Sequence, residues 1–205
     1  MGPVPSLKTD AKGDSSVSSM ESLHKLAQLM VVVGGFYTGL AVLPWDVGGD
    51  LEGCLRLIGT VLFILGLAVR YWWVILLLDW PFRVPRVTLL LVMWGGVVFA
   101  ASRAREDRDW VLALAAVAWA GALTEAYNLA TGQWRHGNTA LAASLYRDHI
   151  IGVVAAVAGG AGLLGIAILA EPWLQPSLVL ILVLFDEARL VEMIRRHQRL
   201  LNDGE

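Results

Sequence analysis

An all-α bundle of five to six transmembrane helices, with a cytosolic N-terminus, is the fold that the hydropathy of this chain predicts. Three observations carry it. Hydrophobic residues make up 57% and charged residues 17% of the 205, with nine tryptophans, outside the range of soluble globular domains. Five runs stay apolar for about the ~20 residues a helix needs to cross the hydrocarbon, and a sixth begins in the same way before it meets Asp186 and Glu187. Lysine and arginine gather on alternate connections, as the positive-inside rule requires.

Residues 1–23 are polar and rich in Ser, Gly and Pro, which predicts a disordered tail. So long a polar lead makes the first apolar run a retained anchor rather than the core of a cleaved signal peptide. The bundle then occupies residues 24–198. Span one, 26–43, is closed by Pro44 and Trp45; span two, 54–78, holds Arg70 and stops at Asp79, Trp80 and Pro81. Span three, 84–102, precedes the charged run Arg103 to Asp109, and span four, 110–130, holds Glu125. A polar connection with a short amphipathic piece, Asn138 to Tyr146, leads to span five, 149–170. Span six, 173–194, is purely apolar only as far as Phe185, and 199–205 form a polar tail. An unpaired backbone amide in lipid costs several kcal/mol and no barrel-strand alternation is present, so these runs are read as helices.

With the N-terminus inside, the inner segments collect Lys8, Lys12, Lys25, Arg83, Arg86, Arg135, Arg147, Arg189, Arg195, Arg196 and Arg199. The outer ones hold Arg56, Arg103, Arg105 and Arg108. Trp45, Trp110 and Trp173 are expected at one interface and Trp72, Trp73 and Trp80 near the other, where amphipathic rings meet the headgroups.

Spans two, four and six then run in the same direction, and Arg70, Glu125 and Asp186 lie sixteen, fifteen and thirteen residues into them. At 1.5 Å per residue that is about 20 to 24 Å, a shared depth. A charge near the helix centre costs on the order of 2.5 to 3.5 kcal/mol, so each is expected to face the bundle interior and find a partner. Arg70, Glu125 and Asp186 are therefore the candidate catalytic residues. Tyr127 and Asn128 beside Glu125, the mid-span Trp94 and Trp119, and His149 at the start of span five are candidate substrate contacts. Each has a plainer reading: Arg70 snorkelling to the headgroups, Glu125 in a structural salt bridge, Asp186 and Glu187 solvated on a surface helix, His149 as a helix-start residue, the tryptophans in packing. His24, His136 and His197 carry no ligand spacing and are read as surface residues, so no metal site is expected.

Small residues at Gly35, Gly39, Gly152, Ala156 and Gly160 predict close helix contacts, with self-association or a membrane partner through Gly35, Gly39, Gly152 and Gly160 as the alternative use. Cys54 is the single cysteine, so no internal disulfide forms. With a formal net charge of -2 and scattered basic residues, no nucleic acid is expected as partner. The three lysines, Lys8, Lys12 and Lys25, all precede the first span, which excludes a retinal Schiff base. Phosphate-loop, HExxH, Gly-x-Ser-x-Gly and carbonyl-filter signatures are missing as well. What stands is a multi-pass membrane protein in contact with lipid. Its leading functional reading is a cofactor-independent isomerase or cyclase, working by proton transfer on a lipophilic, isoprenoid- or sterol-like molecule. The alternatives are a non-catalytic accessory or assembly subunit and a proton-coupled carrier of a small solute.

Overall fold

The computed structural model describes residues 11–46, 50–77, 84–105, 107–131 and 139–202, apart from the side chains of 11–21, 24 and 107. Residues 1–10, the end of span two with Asp79, Trp80 and Pro81, Arg83, the connection with Arg135, His136 and Asn138, and the last three residues lie outside that description. Six α-helices follow one another: α1 Ala11–Ala41, α2 Leu51–Leu77, α3 Val84–Ser102, α4 Asp107–Thr131, α5 Thr139–Leu169 and α6 Gln175–Asn202. A single 3-10 turn, Pro172–Leu174, joins the last two. No strand occurs among the described residues. The all-α expectation holds.

The helices close into a ring through their main contacts, in the order α1, α2, α6, α5, α4, α3 and back to α1, with a lighter contact between α4 and α6 across it. On the α1 to α4 side a core of fully buried side chains fills the centre, including Ile64, Met93, Trp110, Leu114 and Val117. Gly35 lies flush against the ring of Trp94, so close that a Cβ there would run into it, and a Cβ at Gly39 would come within 3.3 Å of Ile64. On α4 and α5, Gly160 makes room for the indole of Trp119, and Gly152 faces the side chain of Glu125, which a Cβ would meet in ordinary contact at 3.9 Å. All four glycines considered for self-association thus face side chains of their own chain.

Four helices, α2, α3, α4 and α5, are long and apolar enough to cross a membrane. Five to six crossings were expected from the hydropathy runs. The apolar part of α1, Lys25–Ala41, is shorter than the other four, and α6 carries Asp186, Glu187, Arg189 and further charges from its middle onwards. Even so, α6 does not lie apart: Val179, Val183, Leu190 and His197 form a buried stripe at helical spacing along its length.

Three local expectations change. Helix α1 begins at Ala11, inside the stretch read as a disordered tail; no proline occurs between Ala11 and Ala41 to stop the helix of span one from extending towards the N-terminus. The amphipathic piece before span five is not a separate element, because α5 runs unbroken from Thr139. Leu141 and Leu145, one turn apart, pack on Val74 of α2 and continue its buried face. Trp110 is not at an interface but fully buried, since Thr60 offers its indole N–H a partner at 2.9 Å. The Thr60 hydroxyl in turn donates to the Arg56 carbonyl at 2.7 Å. Thr60→Val should leave the Trp110 N–H buried without its acceptor and lower stability by about 1 to 3 kcal/mol, read as a fall in thermal midpoint in detergent.

Candidate functional site

Between the α2–α6 pair and the α4–α5 pair the packing leaves a cavity of about 300 Å³, at the lower end of the size of ligand pockets. Small residues on one face of α5 create it: Gly152, Ala155, Ala156 and Gly159 follow the i, i+3, i+4, i+7 spacing and all line the space. A Cβ at Gly159 would meet nothing within 4 Å. Most of the wall is apolar, with Phe63 and Leu67 from α2, Leu114 and Val117 from α4, and Leu182 and Val183 from α6. Phe185, also in the wall, is 75% exposed on the outer side of the bundle. The mouth therefore opens sideways, between α5 and α6, rather than at either end.

Arg70, Glu125 and Asp186 all line this cavity. Arg70 does not snorkel. Its Nη2 donates to Asp186 Oδ2 at 2.8 Å, tying α2 to α6. Arg189, one turn further along α6, donates through Nε and Nη2 to Asp186 Oδ1 at 3.1 and 2.9 Å. Both oxygens of Asp186 are thus held by guanidiniums. The Asp186 side chain, 43% exposed, is paired on both oxygens, and Glu187 also lines the cavity.

Glu125 is only 6% exposed and faces His149 instead of Arg70 or Asp186. Its Oε2 lies 3.2 Å from His149 Nε2, within ion-pair range but not aligned as a hydrogen bond. The other ring nitrogen, Nδ1, stands 2.9 Å from the Leu145 carbonyl. A carbonyl oxygen only accepts, so Nδ1 carries the hydrogen. A hydrogen bond between Nε2 and Glu125 then requires one more proton, shared by the two groups. Position in the middle of α5, not at a helix start, is what places His149 there.

The remaining sequence candidates fall elsewhere. Asn128 is buried but its Oδ1 accepts from Arg86 Nε at 2.9 Å, linking α3 to α4. Tyr127 is half-buried and its carbonyl accepts the Thr131 hydroxyl; its side chain does not line the cavity. Trp94 is buried against α1, and Trp119 lies at the surface with its Nε1 donating to the Val157 carbonyl at 3.4 Å. Neither forms a cavity wall.

A smaller chamber of about 60 Å³ adjoins the first, sharing Arg70, Glu125, Gly152 and Arg189 with it. Its far wall is a network that the sequence left scattered. Asp148 on α5 accepts from Arg196 Nη1 at 2.9 Å and pairs with His197 Nε2 at 2.9 Å, while Ser144 donates to it at 3.4 Å. Trp73 of α2 donates through Nε1 to His197 Nδ1 at 3.1 Å, so Nε2 is the nitrogen that donates to Asp148. His197 is not a surface residue; its side chain is completely buried. The signal was the seven-residue step from Val183 through Leu190 to His197, which puts it on the inner stripe of α6.

Comparison with family models, curated proteins and solved structures finds no match.

Proposed function

We propose that the chain is a membrane-embedded enzyme that isomerises or cyclises a lipophilic molecule by proton transfer. The carrying observation is the apolar cavity with a sideways mouth at Phe185, whose wall includes the buried carboxyl of Glu125, backed at 3.2 Å by the His149 imidazole in the adjoining chamber. Such a site receives its ligand from the bilayer between α5 and α6, with α1 and α6 crossing the membrane beside the four longer apolar helices.

The chemistry needs no cofactor. The Glu125–His149 pair supplies the proton that one substrate carbon gains and receives the proton that another carbon loses, so atoms and charge balance over the cycle. Exclusion of water by the apolar wall strengthens each electrostatic contact inside. Asp186, bound by two guanidiniums, is ill suited to take a proton; with Arg70 and Arg189 it acts as a positioning group that fixes the polar end of the cavity.

Filling the cavity tests the reading. Purified protein should retain a lipophilic small molecule, detected by mass spectrometry of the extract, and Gly159→Trp should remove it while the protein elutes unchanged on size exclusion. A Gly159→Trp protein that retains the same molecule would count against the site. The adjoining polar chamber supports one further reading, a proton-coupled carrier of that molecule. It predicts accumulation of the unaltered molecule across the membrane instead of conversion.

A further inference from the structure

The charges around the cavity select the kind of polar end that it takes. Five charged side chains line it: Arg70 and Arg189 against Glu125, Asp186 and Glu187. Both guanidiniums are committed to one carboxylate, Asp186. Glu125 is 6% exposed and its Oε2 accepts no hydrogen bond. Glu187 makes no hydrogen bond or ion pair among the described residues. Its carboxyl rests in the notch left by Gly66 of α2, where a Cβ would collide with it. Glu187 is therefore the carboxylate of the wall that has no partner of its own among the described residues: an anionic head group would be opposed by it, a hydroxyl would leave its charge unmatched, and an ammonium matches it. The rings of Phe63 and Tyr71 in the same wall favour a soft alkylammonium.

Resting on the reading of this cavity as the site of a lipophilic molecule, we infer that its ligand class is an amphiphilic amine, with the apolar body in the cavity and the ammonium beside Glu187. Gly66 is the residue that seats the carboxylate there.

Calorimetry on the protein in nanodiscs, with N,N-dimethyldodecylamine, dodecanol and dodecyl phosphate as probes, tests this. Gly159→Trp protein measured in parallel gives the background from partition into the bilayer. The amine should bind on the order of tenfold or more tightly than dodecanol, the ratio expected for one charged contact, and dodecyl phosphate should bind weakest. Glu187→Gln should bring the amine down to the level of dodecanol and leave dodecanol unchanged. Gly66→Ala, which keeps the charge but evicts the carboxyl from its notch, should weaken the amine selectively. Equal binding of amine and alcohol to the wild-type protein, tightest binding of the phosphate, or an amine affinity untouched in both folded variants overturns the inference and leaves the cavity as a lipophilic site. If no probe exceeds the Gly159→Trp background, the cavity reading falls with it.

Discussion

Glu125→Gln is expected to cut conversion of the lipophilic substrate by about 10²- to 10⁴-fold, the usual contribution of a positioned acid–base group. The amide has the size of the carboxyl and can still stand beside His149, so the bundle should fold and retain its ligand. What it lacks is a transferable proton. The residue is buried on α4, and the His149 nitrogen facing it is the one that does not carry the hydrogen given to Leu145. His149→Gln should therefore reproduce most of the loss, whereas Asp186→Asn should weaken substrate binding more than turnover, as befits a positioning residue. Mass spectrometry of lipid extracts from cells making wild-type or variant protein at equal levels reads the outcome. An unchanged product profile with Glu125→Gln would remove the proton-transfer account.

Asp148→Leu should have the largest effect on stability. One carboxylate on α5 holds Arg196 and His197 of α6 at 2.9 Å each, and His197 accepts from Trp73 of α2. Removing it strands a fully buried imidazole N–H and a guanidinium. Loss of one partner from a buried ionic network costs about 3 to 5 kcal/mol. The Arg196 side chain is a third exposed and regains part of its solvation, so about 2 to 4 kcal/mol is expected here. A fall in the thermal midpoint, together with faster proteolysis near the α6 C-terminus, would report it. Asp148→Asn, which keeps an acceptor for His197, should lose less. Equal losses in the two variants would mean that the charge, not the acceptor, holds α6 in place.

Depth was legible in the sequence where rotation was not. Arg70, Glu125 and Asp186 reach one cavity because similar distances along three similarly directed helices set a shared level, and a lone charge in an apolar run is easy to see. Which face of α3 or α4 looks inward is different. Lipid and core are both apolar, so a helix hydrophobic all round gives no stripe from which to assign Trp94, Trp119 or Asn128. Pairing within the site was equally hidden. Glu125 chose His149 on the neighbouring α5 over Arg70, and both guanidiniums went to Asp186. The small residues of α5 were visible, but their spacing reads alike whether they admit another helix or leave a void; Gly160 does the first for Trp119 and Gly159 the second. His197 was concealed by the charged residues around it, although its step from Leu190 followed the buried stripe.

The central claim, that a polar site lies within the membrane, depends on α6 crossing beside α2. Cysteine accessibility in sealed vesicles tests it most directly, with Cys54→Ser as background and single cysteines at Ser177 and Asn202 near the two ends of α6. A membrane-impermeant maleimide should reach Ser177→Cys from the outer side only and Asn202→Cys from the cytosolic side only. If both react from the same side, α6 does not cross, and the ion pair of Arg70 with Asp186 is not a feature of the membrane interior.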